Sequence, residues 1–200
     1  MNTVKDITAL EALYGDVNRD SIAKVATYLT DEYAAWLKVA KFCVLTTVGP
    51  NGTDGSPRGD AGPVVTILDQ SRVAMPDWRG NNRLDSLRNI VEDGRVSLMF
   101  MVPGNNTVIR LNGRAVLTTD PDLLGQFEQA GKHPTTVIVI TLTEIYTQCA
   151  RALLRAGLWA GEDSPKLPTP GEILEAQTKG RVDGPAYDSA WPERAAKTMW

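Results

Sequence analysis

The chain has 200 residues, of which 42% are hydrophobic and 22% are charged, and its formal net charge at pH 7 is −3. These values are typical of one soluble globular domain with a sizeable core, and they argue against a large basic face for nucleic acid. No apolar run approaches the roughly 20 residues of a membrane-spanning helix. The first residues lack the apolar core and cleavage site of a signal peptide, so we expect a cytoplasmic protein.

Helical patterns dominate the first 40 residues, which we interpret as an N-terminal helical segment (1–40). The stretch DITALEALYG has apolar residues at helical spacing and ends at Gly15, a residue type that commonly terminates helices. A second helix is predicted over NRDSIAKVATYL. A third is predicted over TDEYAAWLKVA, where Thr30 is a favourable N-cap.

From residue 41 the pattern changes to β-branched, partly alternating segments. KFCVLTTVG predicts a strand, and PNGTDGSPRGDAG predicts a loop because it is dense in turn residues. Further strands are predicted over PVVTILD, RVAMPD, RVSLMFMVPG, TVIRLNGRAVLTTD and TTVIVITLTEIYTQ, with a helix after the second of these and a short helix capped by Asp120 before the last. Short connections favour antiparallel neighbours, and long strands on both sides of one helix favour a closed or nearly closed barrel. Residues 41–148 are therefore interpreted as a mainly β, antiparallel barrel with flanking helices.

Residues 149–200 are interpreted as a C-terminal helical extension. Helices are predicted over CARALLRAGLWAG, GEILEAQTKG and PAYDSAWPERAAKTMW, with EDSPKLPTP as a proline-rich connector. These helices have too few apolar residues to form a second core. We expect them to pack on the barrel or on a partner subunit.

The cysteines and the histidine offer little for hydrolytic or metal chemistry. Cys43 and Cys149 lie in apolar surroundings without a CxxC partner, so we expect two buried free thiols. His133 is the single histidine, which argues against a zinc site and against a Ser-His-Asp arrangement. Any redox chemistry would need a bound cofactor.

The clearest candidate site is the start of the helix after MPDWRGNN. Asn82 is a suitable N-cap, and Asp85 follows three residues later as in a capping box. Arg83 then falls in the first turn, where the helix dipole disfavours a cation by about 0.3–1 kcal/mol. An anion bound there removes that cost, because helix N–H groups and a guanidinium together form a phosphate site. The alternative is a solvated arginine that tolerates its position.

Other side chains near this point extend the candidate site. Arg58 lies in the predicted glycine-rich loop and would supply a second guanidinium, or it pairs with Asp54 or Asp60. The main chain of Pro76 and Asp77 would line the same pocket.

Two further side chains have an open interpretation. Trp78 either stacks on a flat ligand or packs on the domain surface. Arg110 lies in mid-strand and faces either the barrel interior or solvent.

The chain resembles the flavoproteins related to pyridoxamine 5′-phosphate oxidase in five motifs taken in order: SPRGDAG, VTILD, MPDWRGNNRLDSLRNI, RVSLMFMVPG and VIRLNGRAVL. It is most similar to the branch described only as FMN-dependent enzymes of unassigned substrate. ALYGDV, CARALLRAGLW and LPTPGEILEAQ extend the resemblance over nearly the whole chain.

The resemblance implies a split β-barrel and a homodimer with two FMN sites at the subunit interface. It also implies a role for particular residues. Asn82 and Arg83 would hold the FMN phosphate with help from Arg58, whereas the ribityl chain and flavin ring would lie beside Val64, Val65, Thr66, Pro76 and Asp77. Arg110 would lie near the flavin, and the partner's cofactor or the substrate mouth would be reached by Arg151, Arg155 and Trp159.

Two positions depart from the family pattern. Gln148 stands where we expect a histidine, and Val64 where we expect an aromatic residue. Both differences concern substrate recognition more than FMN binding. The leading hypothesis is an FMN-dependent oxidoreductase acting on an unassigned small molecule. The alternatives are a protein that binds flavin, deazaflavin or a haem-like cofactor without turnover, and a dimeric structural protein with a degenerate site.

Overall fold

The structure is a computed structural model, and it describes residues 1–161 and 165–199. Within these ranges the strands are β1 Phe42–Gly49, β2 Gly52–Gly59, β3 Thr66–Ile67, β4 Arg72–Asp77, β5 Arg95–Met101, β6 Val108–Thr118 and β7 Thr136–Gln148. The helices are α1 Ile7–Tyr14, α2 Arg19–Ala23, α3 Asp31–Leu37, α4 Asp85–Glu92, α5 Pro121–Leu124, α6 Arg151–Ala156, α7 Pro170–Thr178 and α8 Gly184–Thr198.

The seven strands form one antiparallel sheet in the order β2-β1-β5-β6-β7-β4-β3. The predicted mainly β, antiparallel split barrel with flanking helices is confirmed. The long strands β6 and β7 form the centre of the sheet, and a bulge between Asn112 and Gly113 lets them bend. Where β6 bends, Gly113 lies so close to β7 that an added Cβ would be 2.3 Å from the carbonyl oxygen of Thr141.

The loop predicted over residues 50–62 is wrong in most of its length. Residues 52–59 form β2, which pairs with β1 from Gly49↔Gly52 to Phe42↔Gly59 around a two-residue turn. The turn residues in this segment are tolerated because β2 is an edge strand, where Pro57 needs no ladder partner on its open side. Arg58 therefore projects from a strand and not from a loop.

Side chains bring β2, at one end of the strand order, to β4, the strand next to the other end. Arg58 on β2 and Asp77 on β4 form an ion pair with Nη1 and Oδ1 2.6 Å apart. One residue beyond each strand, Trp78 Nε1 donates to Asp60 Oδ2 at 2.8 Å. β2 and β4 share no ladder hydrogen bonds, so the sheet closes into a barrel at this side-chain contact, which we call the seam.

The core lies inside the curled sheet. Cys43, Leu45, Leu98, Phe100 and Leu111 are completely or almost completely buried there. A smaller cluster lies outside the sheet, where Phe127 and Val137 cover Ala74, with Trp78 packed against them. The seam adjoins both clusters, since Arg58 lies opposite Cys43 of the main core and Trp78 packs against the smaller cluster.

The N-terminal helices agree with the sequence in part. α1 ends at Gly15 and α3 begins after the Thr30 cap, as predicted. α2 ends at Ala23, earlier than predicted, because Ala26 leaves the helix to pair with Ile145 of β7 through backbone hydrogen bonds of 2.9 and 2.8 Å.

The predicted start of α4 at Asn82 is wrong. Asn82 and Leu84 both have left-handed backbones, with φ of 59° and 63°, whereas an N-cap residue needs an extended one. The helix begins at Asp85, and no side chain caps its first turn. Asn81 instead accepts a hydrogen bond from the N–H of Arg83 at 3.0 Å.

The C-terminal part follows the predicted helical pattern. α7 and α8 pack against each other, with Asp188 Oδ1 accepting from the N–H of Gly171 at 2.8 Å. Residues 162–164 of the predicted connector and the last residue of the final predicted helix lie outside the described residues. Among the described helices, none is both long and apolar enough to span a bilayer. Cys149 is exposed, which corrects the prediction of two buried thiols; Cys43 is buried.

Candidate cofactor site

Arg58 and Asp77 form the polar centre of the seam. Their side chains are 19% and 16% exposed, so the pair is largely removed from water. Arg58 Nε is buried and has no acceptor among the described residues. Arg58 therefore has a donor available in addition to the one that Asp77 accepts. The carboxylates that the sequence suggested as alternatives, Asp54 and Asp60, have other partners.

Arg58 also faces the core. It lies opposite Cys43 in the β1–β2 ladder, and cross-strand partners share one face of a sheet. Burial raises the pKa of the Cys43 thiol to about 12, and the positive charge of Arg58 opposes this rise only in part. Cys43 is thus a neutral, unreactive thiol at physiological pH, and we assign it to packing.

Asp60 organises the outer side of the seam. Its carboxylate accepts hydrogen bonds from Trp78 Nε1 at 2.8 Å, from Gln129 Nε2 at 3.1 Å and from the N–H of Gly62 at 3.4 Å. The hydrogen bond to Asp60 holds Trp78 in place, which agrees with the alternative in which this side chain packs on the domain surface.

A small cleft opens beside these residues. It has a volume of about 170 Å³ and contains two of the predicted flavin-contacting residues, Thr66 and Pro76. Its other lining residues are Asp60, Gly62, Pro63, Trp78 and residues 126–129. The volume is below the roughly 300–1,000 Å³ of typical ligand pockets, so this cleft encloses only part of a ligand the size of FMN.

The connection from β4 to α4 carries a second positively charged side chain, that of Arg83. Arg83 lies between the two left-handed residues Asn82 and Leu84, and its side chain is 78% exposed. Its Nε contacts the carboxylate of Asp85, the first residue of α4. The dipole and the uncapped N–H groups of the helix start lie beside this guanidinium, which is the arrangement that binds anions.

α4 is fixed to the β1–β2 hairpin by side chains of its inner face. Ser86 Oγ donates to Asp54 on β2, and Asn89 Nδ2 donates to Thr47 Oγ1 on β1 at 3.1 Å. Ser86 and Thr47 are both buried. The start of α4 is therefore attached to the hairpin, although the connection before it is exposed.

The remaining predicted residues lie outside the first cleft. Val64 and Val65 are buried core residues, and Val65 lines a second cleft with Lys38, Pro63, Thr66 and Ile67. Arg110 is half-buried on β6 and stacks over the ring of Tyr146, 5.4 Å from its centroid. Arg151 is exposed on α6, and Trp159 Nε1 donates to the carbonyl of Asn105 at 2.9 Å.

The structure thus brings some predicted residues together and leaves others apart. Arg58, Thr66, Pro76 and Asp77 meet at the seam and its cleft, whereas Arg83 is held by a different carboxylate on the adjoining connection. The sequence prediction missed the contribution of Gln129, which reaches Asp60 from 69 positions along the chain. No local pattern in a single sequence signals a contact over that separation.

Comparison with known proteins identifies the family but no close relative. A family profile described as pyridoxamine 5′-phosphate oxidase matches residues 29–149. None of the curated proteins matches the chain.

Several solved structures have a similar fold. HupZ of Group A Streptococcus is 15% identical over 60% of this chain and 93% of its own, with a TM-score of 0.49. An FMN-binding protein from Syntrophomonas wolfei is 13% identical over 58% and 88%, with a TM-score of 0.44. An F420 reductase is 17% identical over 58% and 98%, with a TM-score of 0.44. At such low identities the similarity extends no further than the fold.

The profile match begins just before α3 and ends just after β7, so it includes every strand of the barrel, the seam and the start of α4. It therefore covers well over half of the chain and all of the residues described at the seam. The chain belongs to the pyridoxamine 5′-phosphate oxidase family.

Proposed function

We propose that this protein is an FMN-dependent oxidoreductase that acts on a small molecule as a homodimer. One observation carries the cofactor assignment. The uncapped first turn of α4 directly follows two strained left-handed residues, Asn82 and Leu84, and lies beside the exposed guanidinium of Arg83 between them. Left-handed backbone at a residue such as Leu84 costs roughly 1–2 kcal/mol, and strain of this kind is concentrated at ligand sites.

The residues at the seam fit a phosphate-bearing flavin. Arg83 and the helix N–H groups would hold the phosphate, and Arg58 has a buried Nε without an acceptor that would complete such a site. Thr66 and Pro76 line a cleft beside Trp78, where the flat part of the cofactor would lie. FMN supplies two-electron redox chemistry when bound. The chain's own groups bind it, orient it and place positive charge beside it.

The size of the cleft supports a site shared between subunits. A volume of about 170 Å³ is too small for the whole cofactor. The missing wall would come from a second copy, and Arg151 and Trp159 are candidates for that contribution because they belong to a segment outside the barrel.

A protein that binds the cofactor without turnover is the second candidate function. It is favoured by the few titratable side chains of the cleft, where Asp60 and Glu128 are the ones present among the lining residues. Asp60 already accepts three hydrogen bonds, so it is poorly placed to exchange protons with a substrate. A flavin, deazaflavin or haem-like ligand would fit this alternative.

The decisive measurement is cofactor binding to the purified protein. The protein should be yellow, or should take up added FMN with quenching of its fluorescence. Arg83→Ala should weaken FMN binding about 10- to 100-fold, the loss expected for one charge-assisted hydrogen bond of about 1.5–3 kcal/mol. Riboflavin, which lacks the phosphate, should bind equally to both proteins.

Arg88→Ala is the matched control, because Arg88 is an exposed arginine on the same helix and its removal changes the net charge equally. Its FMN affinity should stay close to that of the unmodified chain. Equal losses of FMN affinity in the two variants would show that Arg83 acts only through the net charge of the protein. An unchanged FMN affinity in Arg83→Ala would refute the phosphate assignment. Reduction of the bound flavin by a nicotinamide donor or an amine would distinguish the enzyme from the binding protein.

A further inference from the structure

Helix α1 has an apolar stripe that none of the described residues buries. Ile7, Leu10, Leu13 and Tyr14 recur at helical spacing, and no residue of α1 is buried. Leu13 is 69% exposed. The helix is well formed at both ends, with Asp6 accepting from the N–H of Ala9 at 2.8 Å and Gly15 closing the last turn. A capped helix with a fully exposed apolar face is typical of an interaction element.

Helix α6 and the turn after it show the same property. α6 also buries no residue, and Leu154, Leu158 and Trp159 are exposed. Leu154 is 61% exposed. The segment is nevertheless anchored, because Trp159 Nε1 donates to the carbonyl of Asn105 between β5 and β6. Its apolar residues are therefore held in place on the outside of the barrel.

The two helices have opposite charge. Around α1, residues 5–16 contain three carboxylates, Asp6, Glu11 and Asp16, against one cation, Lys5. Within α6 itself, residues 151–156 contain Arg151 and Arg155 and no carboxylate, although Glu162 and Asp163 follow further along the chain. One exposed helix is thus apolar and acidic and the other apolar and basic. Such complementarity favours their contact over self-pairing of either helix.

We propose that α1 of one subunit packs against α6 of a second copy of this chain. This contact extends the homodimer proposed above, yet it needs no bound cofactor. In a two-fold symmetric dimer it occurs twice, once for each α1, and it covers both apolar stripes. It also fixes the α6 segment, which carries Arg151 and Trp159, between the two subunits.

The position of the helices on one chain supports a contact between chains. α1 leads to Ala26, which pairs with Ile145 near the end of β7, and α6 follows directly after β7. The chain that follows α1 and α2 is therefore anchored near the end of β7 from which α6 starts. Within one chain they form no packed interface with each other. A two-fold axis near this end would bring each α1 to the partner's α6.

Disulfide cross-linking of the full chain tests the contact. In a Cys149→Ser background, which removes the exposed native thiol and leaves the buried Cys43, one protein carries Leu13→Cys and a second carries Leu154→Cys. Mild oxidation of the mixture should give a species of two chains that contains one copy of each, resolved by a size tag on one of them. Each protein oxidised alone should remain mostly a single chain.

Val116→Cys replaces Leu13→Cys in the control mixture, since Val116 is similarly exposed at 62% but lies on β6. It should cross-link only at the background rate.

A charge exchange tests the ionic part of the contact. Glu11→Lys should slow cross-linking about two- to fivefold, the range of an exposed ion pair, and Arg155→Glu in the other protein should restore the rate. The proposal is overturned if the mixture cross-links no faster than the control, if either protein alone cross-links as fast, or if one chain carrying both cysteines forms the bond internally. FMN uptake, measured on the same samples, shows separately whether the proposed function holds.

Discussion

At the residue level, the ion pair between Arg58 and Asp77 has a structural role and, in the proposed function, a ligand-binding role as well. It joins two strands that share no ladder hydrogen bonds, and it leaves the buried Nε of Arg58 available. A guanidinium that is fixed by one carboxylate is pre-organised for a second anion, because its side-chain entropy is already lost. The seam thus closes the barrel and, in the proposed function, also orients a group that binds the cofactor.

Removing the carboxylate should show the structural side directly. Asp77→Asn leaves Arg58 largely buried without its charged partner, so we expect the free energy of unfolding to fall by about 1.5–3 kcal/mol. The measurement is urea denaturation followed by tryptophan fluorescence. Glu193→Gln removes one partner of an exposed pair with Lys197 on α8 and should cost less than about 1 kcal/mol. Similar losses in the two variants would contradict a special role for the seam.

The prediction for Asn82 shows what residue-level reasoning from the sequence lacked. A cap was predicted from residue type and spacing, and both were satisfied by Asn82 and Asp85. The structure instead uses the tolerance of asparagine for left-handed backbone, and it places a second left-handed residue at Leu84. The choice between the two uses of asparagine depends on how the connection crosses from β4 to α4, which the local sequence does not encode.

At the level of elements, the long strands were predictable and the edge strand was not. β1, β5, β6 and β7 carry β-branched residues in partial alternation, and each was predicted close to its observed bounds. β2 has the composition of a loop and owes its conformation to pairing with β1. For the candidate site, the sequence was wrong about the surroundings of Arg58, since the ion pair with Asp77 depends on β2 being a strand. The binding role of Arg58 stays a prediction.

The bulge in β6 provides a test at the level of elements. Gly113→Ala would place a Cβ 2.3 Å from the carbonyl oxygen of Thr141, so the two central strands would have to separate. Overpacking against backbone typically costs about 1–3 kcal/mol or more, and we expect the upper end of this range or failure to fold. Gly55→Ala on β2 is the control, because nothing lies within 4 Å of its added Cβ. Thermal unfolding of both variants would reveal the difference, and equal midpoints would refute the close approach.

At the level of the whole molecule, the chain divides into a barrel that is complete in itself and helices that are not buried by it. The core inside the sheet contains the large side chains of β1, β5, β6 and β7. No residue of α1 or α6 is buried, and α7 and α8 pack against each other. Apolar residues on terminal helices outside a finished core are most simply explained by contacts between subunits, as proposed for α1 and α6.

A shortened chain tests how the molecule divides. Deleting residues 162–200 removes α7 and α8, whose main packing partner is each other, so the melting midpoint of the remaining chain should change by less than about 2 °C. Ending the chain at residue 148 also removes α6 and the hydrogen bond from Trp159 to Asn105, and should lower the midpoint further. Differential scanning calorimetry at two protein concentrations measures both effects. A large loss in the first deletion would show that the C-terminal pair of helices stabilises the barrel, and a loss that grows on dilution would place that pair at a contact between subunits.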